Sequence, residues 1–407
     1  MQKSEKLIAG SCHAMTLPEF AVRSRFILTK VVLACSLLCI TNIAALADNL
    51  PAADIVLGQS APLTGSFSEL GKAYRDGALL YFDKINRQGG INGHAIKLLT
   101  FDDAYVPKQA EDNTRKLIAQ YHVLALFGHM FTNTVKLSLP IATAAQVPYI
   151  APYAGNDELY ATTNPYLFMT RASFSAELDT LIRQFSVMGL KRVALIRYDS
   201  SSGAALEKEL AGKVQALQLT PLVSTVISLQ SGDFSKNLGV LAKARPDAVV
   251  LGVSGKDAVQ FIQQFNKAAL VKPIQYFARS LIAGHQLVAE LGEESRGLVL
   301  SQVVPSPFNG KTQIAREYQA TLNTTATPAL KTTPSHIALE GFIAAKVMAE
   351  ALKRTSNKLT RPALLKALES MHDWNGGDFP INFSAGKHNG SSFVTVTVIG
   401  AGGHFIE

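Results

Sequence analysis

From residue 54 to the C-terminus, short apolar runs alternate with longer amphipathic stretches, and the alternation predicts strand and helix in turn. Ile55 to Gln59 reads as a buried strand. Tyr74 to Asn86 reads as a helix with Ala78, Tyr81, Phe82 and Ile85 on its apolar face, stopped by Gln88-Gly89-Gly90. Ile96 to Phe101 is the next strand, Pro107 to Gln120 a helix opened by proline, and Val123 to Phe127 a third strand. Thr132 to Ala145 as helix and Pro148 to Ala151 as strand extend a βαβ series, which calls for a parallel sheet with helices on both faces.

Past Arg171 the pattern restarts. Helices are expected over Ala176 to Met188, Ala204 to Leu217 and Asp257 to Ala269, with strands at Arg192 to Arg197, Ala248 to Gly252 and Ile274 to Ala278. Two α/β halves are therefore written in tandem, without a literal internal repeat. The last third is helix-rich, over Gln313 to Leu322, Ile337 to Lys353 and Arg361 to Ser370. It closes with β-rich stretches at Phe379 to Phe383 and Phe393 to Ile399.

The N-terminus departs from this alternation. Arg23, Arg25 and Lys30 precede the apolar run Val31 to Ile40, and Ala45-Leu46-Ala47 supplies the small residues a signal peptidase requires. Residues 1–47 are expected to be a signal peptide cleaved after Ala47, with translation starting at Met1 or Met15. A membrane anchor needs about 17 to 25 apolar residues, and this run is broken by Thr41 and Asn42. Lipidation at Cys35 or Cys39 is disfavoured, because Leu38 is poor before a cleaved bond and Val32-Leu33-Ala34 crowds Lys30.

Removing 47 of the 407 residues leaves 360, more than one core usually organises, so two lobes are expected. Cys12, Cys35 and Cys39 all leave with the leader, so the mature chain depends on its core rather than on disulfides. The leader carries five basic residues against Glu5 and Glu19, so the formal charge falls from +8 to +5. A modest basic excess without any Lys/Arg block argues against a nucleic-acid partner.

Motifs for catalysis and cofactors fail on inspection. Gly65 to Lys72 looks like a phosphate loop, but five residues separate its glycines and Ala73 stands where a hydroxyl should hold magnesium. No nucleophile elbow, zincin motif or zinc-spaced Cys/His cluster occurs, so neither an enzyme, a cofactor nor a metal site is expected. Asp102 and Asp103 are strand neighbours that point to opposite faces, which fits capping and local hydrogen bonding better than a shared proton or ion. His129 reads better as a hydrogen-bonded structural histidine than as a ligand contact or a base. A polar ligand group is best held where a strand ends and a helix begins, because free N–H groups and the helix dipole point there. Gly128 to Thr134 and Pro148 to Gly155 are two such junctions.

The ordered series A-P-L-T-G-S-F-S-E-L-G-K (Ala61 to Lys72), I-N-R-Q-G-G-I-N-G-H (Ile85 to His94) and F-D-D-A-Y-V-P-K-Q-A (Phe101 to Ala110) resembles the opening of the leucine/isoleucine/valine-binding proteins. Val304 to Phe308, Ser335 to Gly341 and Gly377 to Phe383 continue the resemblance over nearly all of the mature chain. It implies a type I periplasmic binding protein: two Rossmann-like lobes, each a parallel sheet flanked by helices, joined by three crossover segments near Arg171, Gln302 and Asn375. The lobes would be 48–171 with 303–375, and 172–302 with 376–407. It further implies a monomeric periplasmic carrier that closes on a small-molecule ligand and hands it to the membrane permease of an ABC importer. A sensor of the same fold serving a separate receptor is the alternative, and a secreted hydrolase on this scaffold a remoter one.

By the same resemblance, Thr132 and the turn Tyr153, Ala154 and Gly155 would hold the ligand from the first lobe, with Ser202, Ser254 and Ser280 closing from the second. Phe67, Leu70, Met130, Phe131, Tyr153 and Tyr198 would line the cleft. Tyr105 and Phe131 stand where some members carry a cysteine pair, and would pack together or form the pocket wall. Amino-acid binders commonly carry a threonine near Gly155 and an acid near Ser280 that neutralises the ligand's ammonium. Here Phe277 to Leu281 offers Arg279 and Ser280 but no carboxylate. A buried unpaired ammonium is costly, which favours a small organic or aromatic carboxylate over a branched-chain amino acid.

Overall fold

The computed structural model describes residues 53–407 apart from 163, 230–231, 269–273, 283 and 357; the leader assigned to residues 1–47 lies outside the described residues. The apolar run β1 (Ile55–Ala61) is nearly all buried and is followed by α1 (Ser68–Arg87), β2 (Ile96–Asp102), α2 (Pro107–Ala119), β3 (Ala125–Phe127), α3 (Thr132–Ala144), β4 (Tyr149–Ile150), the short α4 (Asp157–Ala161) and β5 (Leu167–Phe168). These strands form one parallel sheet in the order β2-β1-β3-β4-β5.

The chain then builds a second sheet through α5 (Phe174–Val187), β6 (Arg192–Tyr198), α6 (Ser201–Ala216), β7 (Thr220–Ile227), α7 (Ser235–Ala244), β8 (Ala248–Gly252), α8 (Gly255–Lys267), β9 (Gln275–Ala278), α9 (Gly284–Leu291) and β10 (Val299–Gln302). It returns to the first sheet with α10 (Gln313–Thr324), α11 (His336–Arg354), α12 (Arg361–Glu369) and the hairpin β11 (Trp374–Asn375) with β12 (Pro380–Ile381). It ends on the second sheet with β13 (Thr395–Ile399) and β14 (Phe405–Ile406), giving the order β14-β13-β10-β9-β8-β6-β7. The architecture is the expected pair of α/β lobes. The second sheet is not wholly parallel, because β13 and β14 join its edge antiparallel.

The return through 376–394 differs from the expected assignment. Phe379, Ile381 and Phe383 are buried in the core that also holds β1 and α11, and Met169 beside β5 bridges Asn389. Phe393 and Val394 pack on the same core, so the chain joins the second sheet at Thr395 rather than at Asn375.

Helices α1 and α11 pack through glycine. A Cβ on Gly77 would lie 1.9 Å from Ala338 O, and one on Gly341 2.0 Å from Tyr74 O. Gly71 is likewise a packing residue, with Pro62 O 1.9 Å from where its Cβ would be, which accounts for the glycine of the apparent phosphate loop. Among the described residues no helix is long and apolar enough to cross a membrane.

Candidate functional site

In each sheet the strand order reverses beside one strand, β1 in the first and β6 in the second, and ligands of open α/β sheets bind outside the carboxyl ends of strands at such switch points. The two switch points face each other across a cavity of about 110 Å³. The first sheet contributes Phe67 after β1, Tyr105 after β2, and Phe131, Thr132 and Asn133 at the start of α3. The second contributes Tyr198, Ser200 and Ser202 after β6, Val253 and Ser254 after β8, Arg279 and Leu281 after β9, and Phe174 at the start of α5.

The local structure explains why these residues are presented. Helix α3 begins at the cavity behind Phe131, whose φ of 67° and ψ of 146° lie in a sparsely populated region. Tyr105, with φ of 63°, is a second such residue. Two strained non-glycine residues on one cavity wall are held there by their neighbours: Phe67, Tyr105 and Phe131 form a trio with ring centroids 4.5, 4.9 and 5.1 Å apart. Tyr105 and Phe131 thus both pack together and line the wall. The Ser200 hydroxyl caps α6 by accepting from Gly203 N at 3.1 Å, and Ser254 is the residue before α8. The first turns of α3 and α6 and the N-cap of α8 therefore all open on this space, and N–H groups at helix starts lack intrahelical acceptors.

Arg279 is the cation of the wall. Its guanidinium lies 4.3 Å from the Phe174 ring, burial pulls its pKa below the usual arginine value, and among the described residues no carboxylate pairs with it. Tyr198 donates its hydroxyl proton to Asp257 at 2.9 Å, so that acid is already engaged.

The expected contacts divide cleanly. Phe67, Tyr105, Phe131, Thr132, Ser202, Ser254 and Arg279 are brought together at the cavity. Leu70 and Met130 are core side chains, because their elements turn them inward against the first sheet. Tyr153 stands one layer behind, 6.1 Å from the Phe131 ring, and its hydroxyl donates to Ser280 O at 3.4 Å. Ala154 is fully buried and packs on the far side of the sheet. Gly155 lies under Phe174, whose ring atoms would stand 2.3 and 2.4 Å from a Cβ there. Ser280 turns away from the cavity, its N–H and hydroxyl both donating to Glu177.

Sequence reasoning missed Asn133, Phe174, Ser200, Val253 and Leu281 on the wall; for Phe174, Gly155 is the signal that could have found it, because without a side chain at 155 an aromatic ring fills the space. Asp102 and Asp103 part as expected. Asp102 accepts from Leu63 N and the Thr64 hydroxyl; Asp103 accepts from the Ser60 hydroxyl and Tyr105 N, pinning the loop that carries Tyr105. Neither caps α2, whose N-cap is Val106. His129 is fully buried, contacts Thr114 at 3.1 Å, and is held neutral by burial, its pKa down to about 3.

Residues 54–404 match the family model described as periplasmic binding protein. The Leu/Ile/Val-binding protein homolog 8 of Brucella abortus (strain 2308) is 28% identical over 232 residues, which span 54% of this chain and 57% of that protein's own length. The crystal structure of a substrate-binding periplasmic protein from Ralstonia solanacearum aligns with a TM-score of 0.80 at 28% identity, covering 87% of this chain and 99% of that one. A solute-binding protein of an ABC transporter from R. palustris, solved with benzoate, aligns with a TM-score of 0.74 at 22% identity over 87% of this chain and 95% of that one.

Proposed function

The chain belongs to the periplasmic binding proteins, and from that membership we propose that it is the solute-binding subunit of an ABC importer of the branched-chain-amino-acid type, with a small organic or aromatic carboxylate as its ligand. The observation that carries the ligand class is Arg279, a cavity-wall cation without a carboxylate partner among the described residues. Three helix starts add positive potential at the same space. Of the buried acids beside the cleft, Glu177 is occupied by Ser280, Ser301 and Arg171, and Asp257 accepts from Tyr198. Phe67, Tyr105, Phe131 and Phe174 supply apolar walls for the rest of the ligand.

The mechanism makes and breaks no bond. The ligand carboxylate takes the N-terminus of α3 and Thr132 from one lobe and Arg279, Ser202 and Ser254 from the other. Residues 53–171 with 303–394 then move as one body against 172–302 with 395–407, and a membrane permease reads the closed surface. The same reading puts the mature protein in the periplasm, with residues 1–47 removed.

A melting panel of short acids, aromatic acids, their amides, and leucine, isoleucine and valine tests this. A ligand at about 100 times its Kd adds about 2.7 kcal/mol. A rise with acids but not with their amides is expected. A rise with the branched-chain amino acids alone would overturn the carboxylate assignment.

A further inference from the structure

Behind the cleft, at the first passage between the sheets, lies a charge cluster that lines no part of the cavity. Arg171 has no exposed side-chain surface. Its Nη2 donates to Glu177 Oε1 at 3.1 Å and to the Ser280 hydroxyl, and its guanidinium lies 4.7 Å from the Tyr153 ring. On the other side Nη1 faces Glu340 Oε1 at 3.4 Å, but among the described residues neither Nη1 nor Nε finds a hydrogen-bond acceptor. One guanidinium thus meets two carboxylates carried by different lobes: Glu177 on α5 of the second and Glu340 on α11 of the first.

The two acids are not equivalent. Glu177 also accepts from Ser280 N at 2.8 Å, the Ser280 hydroxyl at 3.0 Å and the Ser301 hydroxyl at 2.6 Å, which hold it as a carboxylate. Among the described residues Glu340 has only the long contact to Arg171. Two buried carboxylates sharing one cation leave an excess negative charge, and the poorly bonded one takes the proton. Burial pushes Glu340 up to about 7, against the pull of Arg171 and aided by Glu177. The other groups facing it are the phenols of Tyr74, Tyr153 and Tyr160, each raised by burial and therefore neutral at working pH.

We propose that Arg171 and Glu340 form a proton-sensitive tie between the lobes, which strengthens the closed setting when Glu340 is ionised and releases α11 when it is protonated. The tie rests on the reading of this chain as a hinge-closing binder. Ser280, clamped in the same cluster, adjoins Arg279, so the tie also fixes the loop that presents the cleft's cation. Arg171 acts here as a positioning residue, since it lies outside the cavity wall.

The test needs no ligand. The mature chain has no cysteine, so Glu69→Cys and Lys256→Cys place two spin labels beside the closed lips, where Ser66 O stands 3.4 Å from a Cβ built on Gly255. Interlobe distances are measured by pulsed dipolar spectroscopy at about pH 8.5 and about pH 5.5, on either side of the Glu340 transition. The short-distance share should fall about threefold or more at the lower pH. Adding Glu340→Gln should give the low-pH distribution at both values, whereas Asp103→Asn, which removes another carboxylate raised by burial, should keep the response. A distribution that does not move with pH, or moves equally with Glu340→Gln present, overturns the tie. If the lobes open and close but ignore pH, the tie alone fails; one unchanging distance, unmoved by benzoate and by leucine at saturating concentration, counts against hinge closure itself.

Discussion

Gly155→Ala should destabilise this protein through one ring. Gly155 is not among the residues with positive φ, so alanine brings no backbone strain there. Its Cβ would instead stand 2.3 Å from Phe174 Cδ1 and 2.4 Å from Cε1, more than 1 Å inside the roughly 3.5 to 4.0 Å at which carbons pack favourably. Phe174 is only 7% exposed, so the ring can escape only towards the cavity and Arg279. Overpacking of this kind costs about 1 to 3 kcal/mol, against about 0.4 to 1 kcal/mol gained from the stiffer unfolded chain. The net loss should be about 1 to 2 kcal/mol, read from urea midpoints at constant m value. The control is a double-mutant cycle: in the Phe174→Ala background the ring is gone, and Gly155→Ala should become neutral or slightly stabilising, a coupling of about 1 kcal/mol or more. An equal cost in both backgrounds would refute the claim that Gly155 exists to admit Phe174 to the cleft wall.

Gly77→Ala should be more damaging, because its Cβ would meet Ala338 backbone rather than a movable ring. A drop in the urea midpoint of less than about 1 kcal/mol equivalent would contradict the close approach of α1 and α11. Asp103, pushed up to about 6 by burial, favours the folded state at low pH and loses that contribution as pH rises from about 4 to about 6. Asp103→Asn should therefore gain on the parent protein across that window, and a constant difference would argue against the raised value. His129 and His336, both held down to about 3 by burial, act oppositely: the unfolded chain takes up their protons, so stability falls as pH drops from about 6.5 towards 3. His129→Gln should flatten that fall, measured as urea midpoint against pH.

The elements of the first lobe were legible because each apolar run ends at glycine, proline or a charged turn, and β1, β3, β4 and β5 are nearly all buried. The stretch from Leu217 to Ala248 was not. There β7 is an edge strand whose first residues are exposed and include Pro221, and the described burial of α7 rests on Asn237 and Leu241. Neither has enough buried surface to impose a clear period. The stretch Phe379 to Phe383 was read as β-rich, but its lobe depends on long-range packing of Phe379, Ile381 and Phe383 that no local pattern encodes.

The cleft was legible where the residues sit at strand ends, as with Thr132, Phe131, Ser202 and Ser254. It was not where the outcome depended on partners distant in sequence. Ser280 was expected to face the ligand, but Glu177, more than 100 residues earlier in the chain, takes both its donors. Phe174 became part of the wall because of an absent side chain at 155.

The central proposal is that this cleft holds a carboxylate and, among the described residues, presents no carboxylate to an ammonium group. Calorimetric titration with two matched pairs isolates that claim: leucine against isocaproate, and phenylalanine against phenylpropionate, which differ only in the α-ammonium group. Burying an unpaired ammonium costs several kcal/mol, so the desamino acid of the pair that fits should bind at least about 100-fold more tightly, equivalent to about 2.7 kcal/mol. Leucine or phenylalanine binding as tightly as its desamino partner would contradict the account, because a carboxylate must then be reaching the ligand from a position that the present cleft does not provide.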